Sequence, residues 1–188
     1  MFIRATNWCM KHSDFLNVET SLVGCILNGL AQMHGSISGR LEFGVALVRG
    51  LGGNLTEAGK EAFAKEIFKW CGESHPGRRP SLVYYNAERD RLDTYTGSET
   101  LDDISLADFT SDGTYPVVQT ADVRATVDIL LPLLDSNAKI KNQPFLLVGP
   151  EGSGKSLLLH HCFKQLRATN VAVVHCSANI TPQHVIQK

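Results

Sequence analysis

Apolar residues recur along the first third of the chain at the spacing of amphipathic helices. Between Asp14 and His34, Leu22, Val23, Ile26, Leu27, Leu30 and Met33 follow one another at helical intervals, with Ser13 or Asp14 placed to cap and Gly35 to stop. A second helix is predicted from about Arg40 to Leu51, halted by Gly52 and Gly53. A third, from about Thr56 to Cys71, turns Phe63, Ile67, Trp70 and Cys71 to one side before Gly72. The pattern predicts a small bundle over 14–71 packed through Leu22, Ile26, Leu30, Leu47, Val48, Phe63 and Ile67.

The periodicity breaks at "ESHPGRRPS", where two prolines and a glycine open an irregular stretch. "SLVYYN" and "RLDTYT" flank "AERD" and predict a short hairpin. "LDDISLADF" reads as one or two helical turns, and "TSDGTYP" as a loop and the best boundary in the chain. Beyond it, extended "YPVVQT" leads to Thr120, which is placed to cap a helix running to about Leu134. Val123, Val127, Leu130, Leu131 and Leu134 share one face, and Pro132 is expected to end or bend that helix early. The last part reads as strand Pro144 to Val148, glycine loop, helix Lys155 to about Arg167, and strand "NVAVVHCS". That βαβ unit has strands apolar enough for both faces of a parallel sheet.

Composition narrows the picture. The 188 residues are 43% apolar and 20% charged, with 18 basic and 19 acidic side chains and no basic run, so nucleic acid is not an expected partner. The N-terminal segment lacks the apolar core of a signal peptide, and no stretch approaches membrane-span length, so no membrane partner is expected either. Five cysteines without C-x-x-C spacing fit free thiols in a reducing, cytosolic compartment.

The candidate chemistry is concentrated in Gly149, Pro150, Glu151, Gly152, Ser153, Gly154, Lys155 and Ser156. They satisfy G-x-x-x-x-G-K-[ST] after a predicted strand and before a predicted helix. Glycines there let backbone N–H groups turn around phosphate oxygens, and the helix start adds positive potential. Lys155 is expected to reach the β and γ phosphates of ATP or ADP, and the Ser156 hydroxyl to ligate Mg²⁺. Hydrolysis also needs an acidic residue at the end of another strand and a charge-neutralising arginine, and neither is visible. Asp135 closes "DILLPLLD", but that run precedes the glycine loop and reads as a helix. His160, His161 and Cys162 adjoin on the predicted helix, where neighbours diverge, so a shared metal is not expected. The residues support nucleotide binding without assigning a catalytic group.

In order, "SLVGCILNGLAQMHG", "LVRGLGGNL", "VYYNAERDRLDTY", "YPVVQTADV", "FLLVGPEGSGKS" and "VVHCSANITPQHVIQK" resemble the dynein heavy chain family, and within it the cytoplasmic dynein 2 heavy chains of retrograde intraflagellar transport. The likeness runs from about residue 14 onward. It implies a fragment of a ring of AAA+ modules: residues 1–110 as the helical small (lid) subdomain of the second module, with its hairpin, and 111–188 as the start of the third module's α/β P-loop NTPase subdomain. It also implies that Val117 to Thr120, with Val117, Val118 and Thr120 as contacts, line the adenine pocket. In place of the first module's Gly-Leu-Arg sensor stand Gly44, Val45 and Ala46, with Arg49 a turn later, which implies a structural rather than hydrolytic second module. Implied partners are neighbouring modules of the same heavy chain. Microtubules and the dynein intermediate and light intermediate chains would be met through regions outside this sequence, in cytoplasm, cytoskeleton and cilium. Two other readings stay open on the residues: a stand-alone ATP-binding P-loop protein, and an interaction fragment that binds no nucleotide.

Overall fold

A computed structural model describes residues 1–33, 37, 39–97, 116–135, 144–166 and 170–186. "LDDISLADF" and most of "TSDGTYP" lie outside these residues. The first part contains helices α1 (Phe2–Lys11), α2 (Leu22–Ala31), α3 (Arg40–Gly50) and α4 (Glu57–Cys71), followed by strands β1 (Val83–Asn86) and β2 (Arg91–Thr94). The second contains α5 (Ala121–Leu134), α6 (Lys155–Gln165) and the short α7 (Pro182–Ile186). Among the described residues no helix is long and apolar enough to cross a membrane.

Local chemistry sets the helix ends. Ser21 Oγ accepts the Gly24 N–H at 3.2 Å and starts α2, and Thr56 Oγ1 accepts the Gly59 N–H at 3.3 Å and starts α4. At the far end of α4, Gly72 adopts φ 74°. The Glu73 N–H then reaches the Phe68 carbonyl while the Gly72 N–H reaches that of Lys69, both at 3.1 Å, which closes the last turn. The hairpin pairs Val83 with Thr94 and Tyr85 with Leu92. Asn86 Oδ1 accepts the Glu88 and Arg89 amides, fixing the turn over "AERD".

One core joins α1 to α4 and the hairpin. Leu47, Phe63, Ile67 and Phe68 are fully buried, with Ala5, Cys9, Cys25, Val48, Val83 and Leu92 around them. Two expectations are corrected here. The helix expected from Asp14 begins at Leu22, because Ser13–Phe15 form a single 3₁₀ turn and Leu16 bridges Leu55. Leu22 and Leu30, expected in the core, are exposed, as are Val23 at 65% and Leu27 at 60%. The cause is a close helix crossing. A Cβ at Gly50 would stand 2.7 Å from the Asn28 carbonyl oxygen, and one at Gly29 would stand 2.9 Å from Phe2 and from Leu51. The two glycines bring the α2 and α3 backbones together, so α2 turns its Cys25–Gly29 side inward and its leucines outward.

The second part has a smaller core, in which Val127, Leu130 and Cys162 join α5 to α6. Thr120 Oγ1 caps α5 by accepting the Val123 N–H at 3.2 Å. Pro132 lies inside α5 without ending it early. It forfeits only its own N–H near the C-terminus, and the Asp135 N–H still reaches the Leu131 carbonyl at 3.0 Å. The predicted βαβ strands differ more. Among the described residues only β1 and β2 form a ladder, and 144–148 and 170–177 run without strand pairing. A crossover leaves its two strands free to be non-adjacent in a sheet, and neither segment has a neighbouring strand among the described residues to complete its hydrogen bonds. Leu146 is accordingly 82% exposed.

Candidate functional site

The turn from Gly149 into α6 is built by two left-handed glycines. Gly152 and Gly154 have φ 73° and 81°, values that a side chain would strain, and a Cβ at either would meet nothing within 4 Å. Gly154 is the residue before α6 and supplies no side-chain acceptor, so the amides of the first helical turn carry no side-chain cap. The Lys155 Nζ folds back into the loop and donates to the Gly149 carbonyl at 2.8 Å, the Pro150 carbonyl at 2.6 Å and Ser153 Oγ at 3.4 Å. The result is a concave loop with an ammonium gathered at its centre and an open, exposed rim of Glu151, Gly152, Ser153 and Ser156. Such a loop suits an oxyanion: its carbonyls are weak, exchangeable partners for a lysine that a phosphate would attract more strongly.

The segment from Val117 to Thr120 runs beside the same helix. Gln119 Nε2 lies 3.0 Å from His161 Nε2 on α6, and Gln165 Nε2 lies 2.8 Å from that nitrogen. Thr120's hydroxyl is occupied as the α5 cap, and Val118 is exposed. Packing between α5 and α6, through Leu158 and Leu159 against the Val127–Leu130 face, holds this segment and the glycine loop on one scaffold. The three adjoining residues of α6 divide their roles: His160 is exposed, His161 meets the two glutamines and Cys162 is buried.

A second polar constellation went unread in the sequence. Arg49 on α3 donates to the Tyr95 hydroxyl at 2.6 Å and to Asp128 on α5 at 3.1 Å, and Tyr95 also donates to Asp128. Burial, resisted by Arg49 and aided by Asp128, pushes the Tyr95 hydroxyl above its ordinary range and keeps it a donor. Arg79 reaches Asp122 on α5 and Glu57 at 2.9 Å each, and Glu61 at 3.1 Å. Between these clusters opens a cavity of about 230 Å³ bordered by Arg49, Lys60, Arg79, Asp122 and Ile129. None of its lining residues belongs to the glycine loop. Burial lowers the Lys60 pKa there, opposed by Asp122 and Glu61. These partners lie far apart in sequence and share no spacing. The local signal is Arg49, one turn beyond Gly44, Val45 and Ala46.

Two stretches of the chain match known families. Residues 1–71 match the family described as cytoplasmic dynein 2 heavy chain 1, AAA+ ATPase domain, and residues 144–188 match the AAA domain of the dynein-related subfamily. Over all 188 residues the chain is 45% identical to cytoplasmic dynein 2 heavy chain 1 of Homo sapiens, and over a 190-residue alignment 43% identical to that of Tripneustes gratilla. The chain belongs with the cytoplasmic dynein 2 heavy chains. It spans 4% of the length of each of these relatives, and a more distant one from Chlamydomonas reinhardtii is 30% identical over the whole chain. The AAA+ match covers the glycine loop, and AAA+ ATPase membership implies a nucleotide site.

Proposed function

We propose that this segment is the junction of two AAA+ modules in a dynein motor and carries the nucleotide cradle of a regulatory module. Residues 1–110 serve as the lid subdomain of the second module, and 111–188 open the third. The backbone from Gly149 to Gly154 would surround the phosphates of ATP or ADP, with Glu151 and Ser153 on its rim. Lys155 would move from the Gly149 and Pro150 carbonyls onto the phosphates, and Ser156 would hold Mg²⁺. Val117, Val118 and Thr120 would flank the adenine. The bound metal–nucleotide would supply the charge that the loop recognises. In this reading the segment binds nucleotide and regulates the main hydrolytic site of the heavy chain.

The observation that carries the reading is the Lys155 ammonium held by three exchangeable oxygens inside a two-glycine loop at the start of α6. Similarity to cytoplasmic dynein 2 heavy chains supports the larger assignment. That assignment is a minus-end-directed microtubule motor of retrograde intraflagellar transport in cytoplasm and cilium. It would touch microtubules and the intermediate and light intermediate chains through regions outside these residues. The test is calorimetric titration of Mg-ATP and of adenosine into a heavy chain containing this segment, with and without Lys155→Ala. The substitution is expected to weaken ATP at least tenfold at this site and to leave adenosine nearly unchanged. Equal ATP affinity in both proteins would remove the phosphate role of Lys155 and with it the reading.

A further inference from the structure

Cys9 on α1 and Cys25 on α2 meet inside the helical core. Cys9 is fully buried and Cys25 nearly so, and both belong to the same buried cluster of the helical core. Among the described residues the other cysteines are placed differently. The Cys71 thiol faces the Arg40 carbonyl and the Met1 sulfur, Cys162 is sealed between α5 and α6, and Cys176 is exposed. Both members of the pair line one small cavity of about 10 Å³, with Thr20, Asn28 and Asn54 among its polar lining. That volume is about one small solvent molecule. Asn54 also holds the segment between α1 and α2 over the pair: its side chain accepts the Val18 N–H at 3.0 Å and donates to the Val18 carbonyl at 2.7 Å and to Thr20 Oγ1 at 2.9 Å.

We propose that Cys9 and Cys25 are a reversible dithiol–disulfide pair that fastens α1 to α2 when the protein meets hydrogen peroxide. The cavity selects the oxidant class, because a peroxide approaches the size of the space whereas a tripeptide disulfide does not. The neighbouring Cys9 thiol also lowers the Cys25 pKa against the opposing effect of burial, while Cys25 and burial raise Cys9. Cys25, 6% exposed where Cys9 is sealed, is the thiol that the peroxide reaches first, and it reacts as the thiolate. Its sulfur attacks one peroxide oxygen, the O–O bond breaks, and the departing hydroxide takes up the Cys25 proton as water, leaving a sulfenic acid. The Cys9 sulfur then attacks the Cys25 sulfur. The S–O bond breaks, hydroxide leaves with the Cys9 proton as a second water, and the S–S bond forms. Two thiols lose two electrons and one peroxide gains them.

The experiment treats the full chain with hydrogen peroxide, alkylates it in denaturant with N-ethylmaleimide, and digests it with trypsin without reductant. Cleavage after Lys11 separates the two cysteines, so a disulfide appears as peptide 5–11 linked to peptide 12–40. The expected result is loss of two of the five alkylation sites, recovered on adding dithiothreitol, with that linked peptide present. Cys9→Ser should abolish the link and leave a Cys25 sulfenic acid that dimedone captures. Cys162→Ser should leave the link unchanged. Full alkylation of both thiols after peroxide, or linkage of either one chiefly to Cys176, would overturn the proposal, and both outcomes are read on the wild-type chain.

Discussion

In the helical half, Phe63, Ile67 and Phe68 are sealed against α1, α3 and the hairpin. In the P-loop half, α5 and α6 close over Val127, Leu130 and Cys162 while Leu146 stands 82% exposed beside the glycine loop. Both halves are rich in apolar residues, so composition does not separate them. The difference lies in whether the partners of each apolar face are present in the same stretch of chain. Helices meet their neighbours within short loops, whereas a parallel strand needs flanking strands that arrive from elsewhere in sequence. The glycine loop therefore rests on the weaker scaffold, and the stable half is the one without it.

The largest expected effect is Phe63→Ala. Removing that ring from the centre of the helical core should cost about 4 kcal/mol, lowering the melting temperature and abolishing amide protection across α1, α3 and α4. Leu130→Ala should cost about 3 kcal/mol but should act locally, speeding hydrogen exchange in α5 and α6 while α4 stays protected. If Leu130→Ala melted the helical half equally, the two halves would share one cooperative unit and the contrast between them would fail.

How far the sequence alone reaches follows the same division. Helices α3 and α4 were legible to within a residue, because Thr56 and Gly72 mark the ends of α4; of its expected face Phe63, Ile67 and Cys71 are buried, while Trp70 is half-buried and Phe68 takes a core place the period did not give it. Helix α5 was legible from Thr120 onward, and the hairpin from "AERD". Helix α2 was legible as a helix but not in which side it buries, since Gly29 and Gly50 set its orientation through a contact that no local pattern encodes. Helix α1 went unread although Phe2, Ala5, Trp8 and Cys9 recur at helical spacing and Ala5 and Cys9 are fully buried, because it lacks the side-chain N-cap that marks the starts of α2, α4 and α5. At the candidate site, the glycine turn and its helix were readable because the motif is contiguous. The strands around it were not, since continuous apolar character does not say which neighbour will pair. Nor were the Arg49–Asp128 and Arg79–Asp122 contacts, which cross between the halves.

Those contacts give an intermediate test. Arg79→Ala leaves Glu57, Glu61 and Asp122 without their shared cation and should cost about 1 to 2 kcal/mol, with faster exchange at the start of α5. The Glu61 carboxyl supplies the pH dependence. Burial alone would raise its pKa, but two hydrogen bonds from Ser81 and the Arg79 guanidinium outweigh burial and hold it below the ordinary carboxylate value. A depressed folded pKa means that this stabilisation is complete above the unfolded value of about 4.3 and is lost as pH falls through the folded value. Glu61→Gln should therefore lower the melting temperature at pH 7 and flatten its decline between pH 5 and pH 3, relative to wild type. A parallel decline in both proteins would show that the junction is not what acid disrupts.

The smallest expected effect distinguishes periodicity from burial most sharply. Leu27 lies on the apolar stripe of α2 and reads in sequence as a core residue, yet it is 60% exposed, with Val23 at 65% beside it. Cys25 and Gly29 occupy the inward side, and the Gly29–Gly50 approach leaves no room for α2 to roll its leucines under. Leu27→Gln keeps a straight-chain, helix-compatible side chain and removes only apolar surface already in contact with water. The change in unfolding free energy should stay within about 0.5 kcal/mol, against the far larger loss at Phe63. Urea melts of the two variants measured side by side give the ratio directly. A loss at Leu27 approaching that at Phe63 would mean that α2 buries its leucine stripe in solution, and the glycine crossing would then not be what orients the helix.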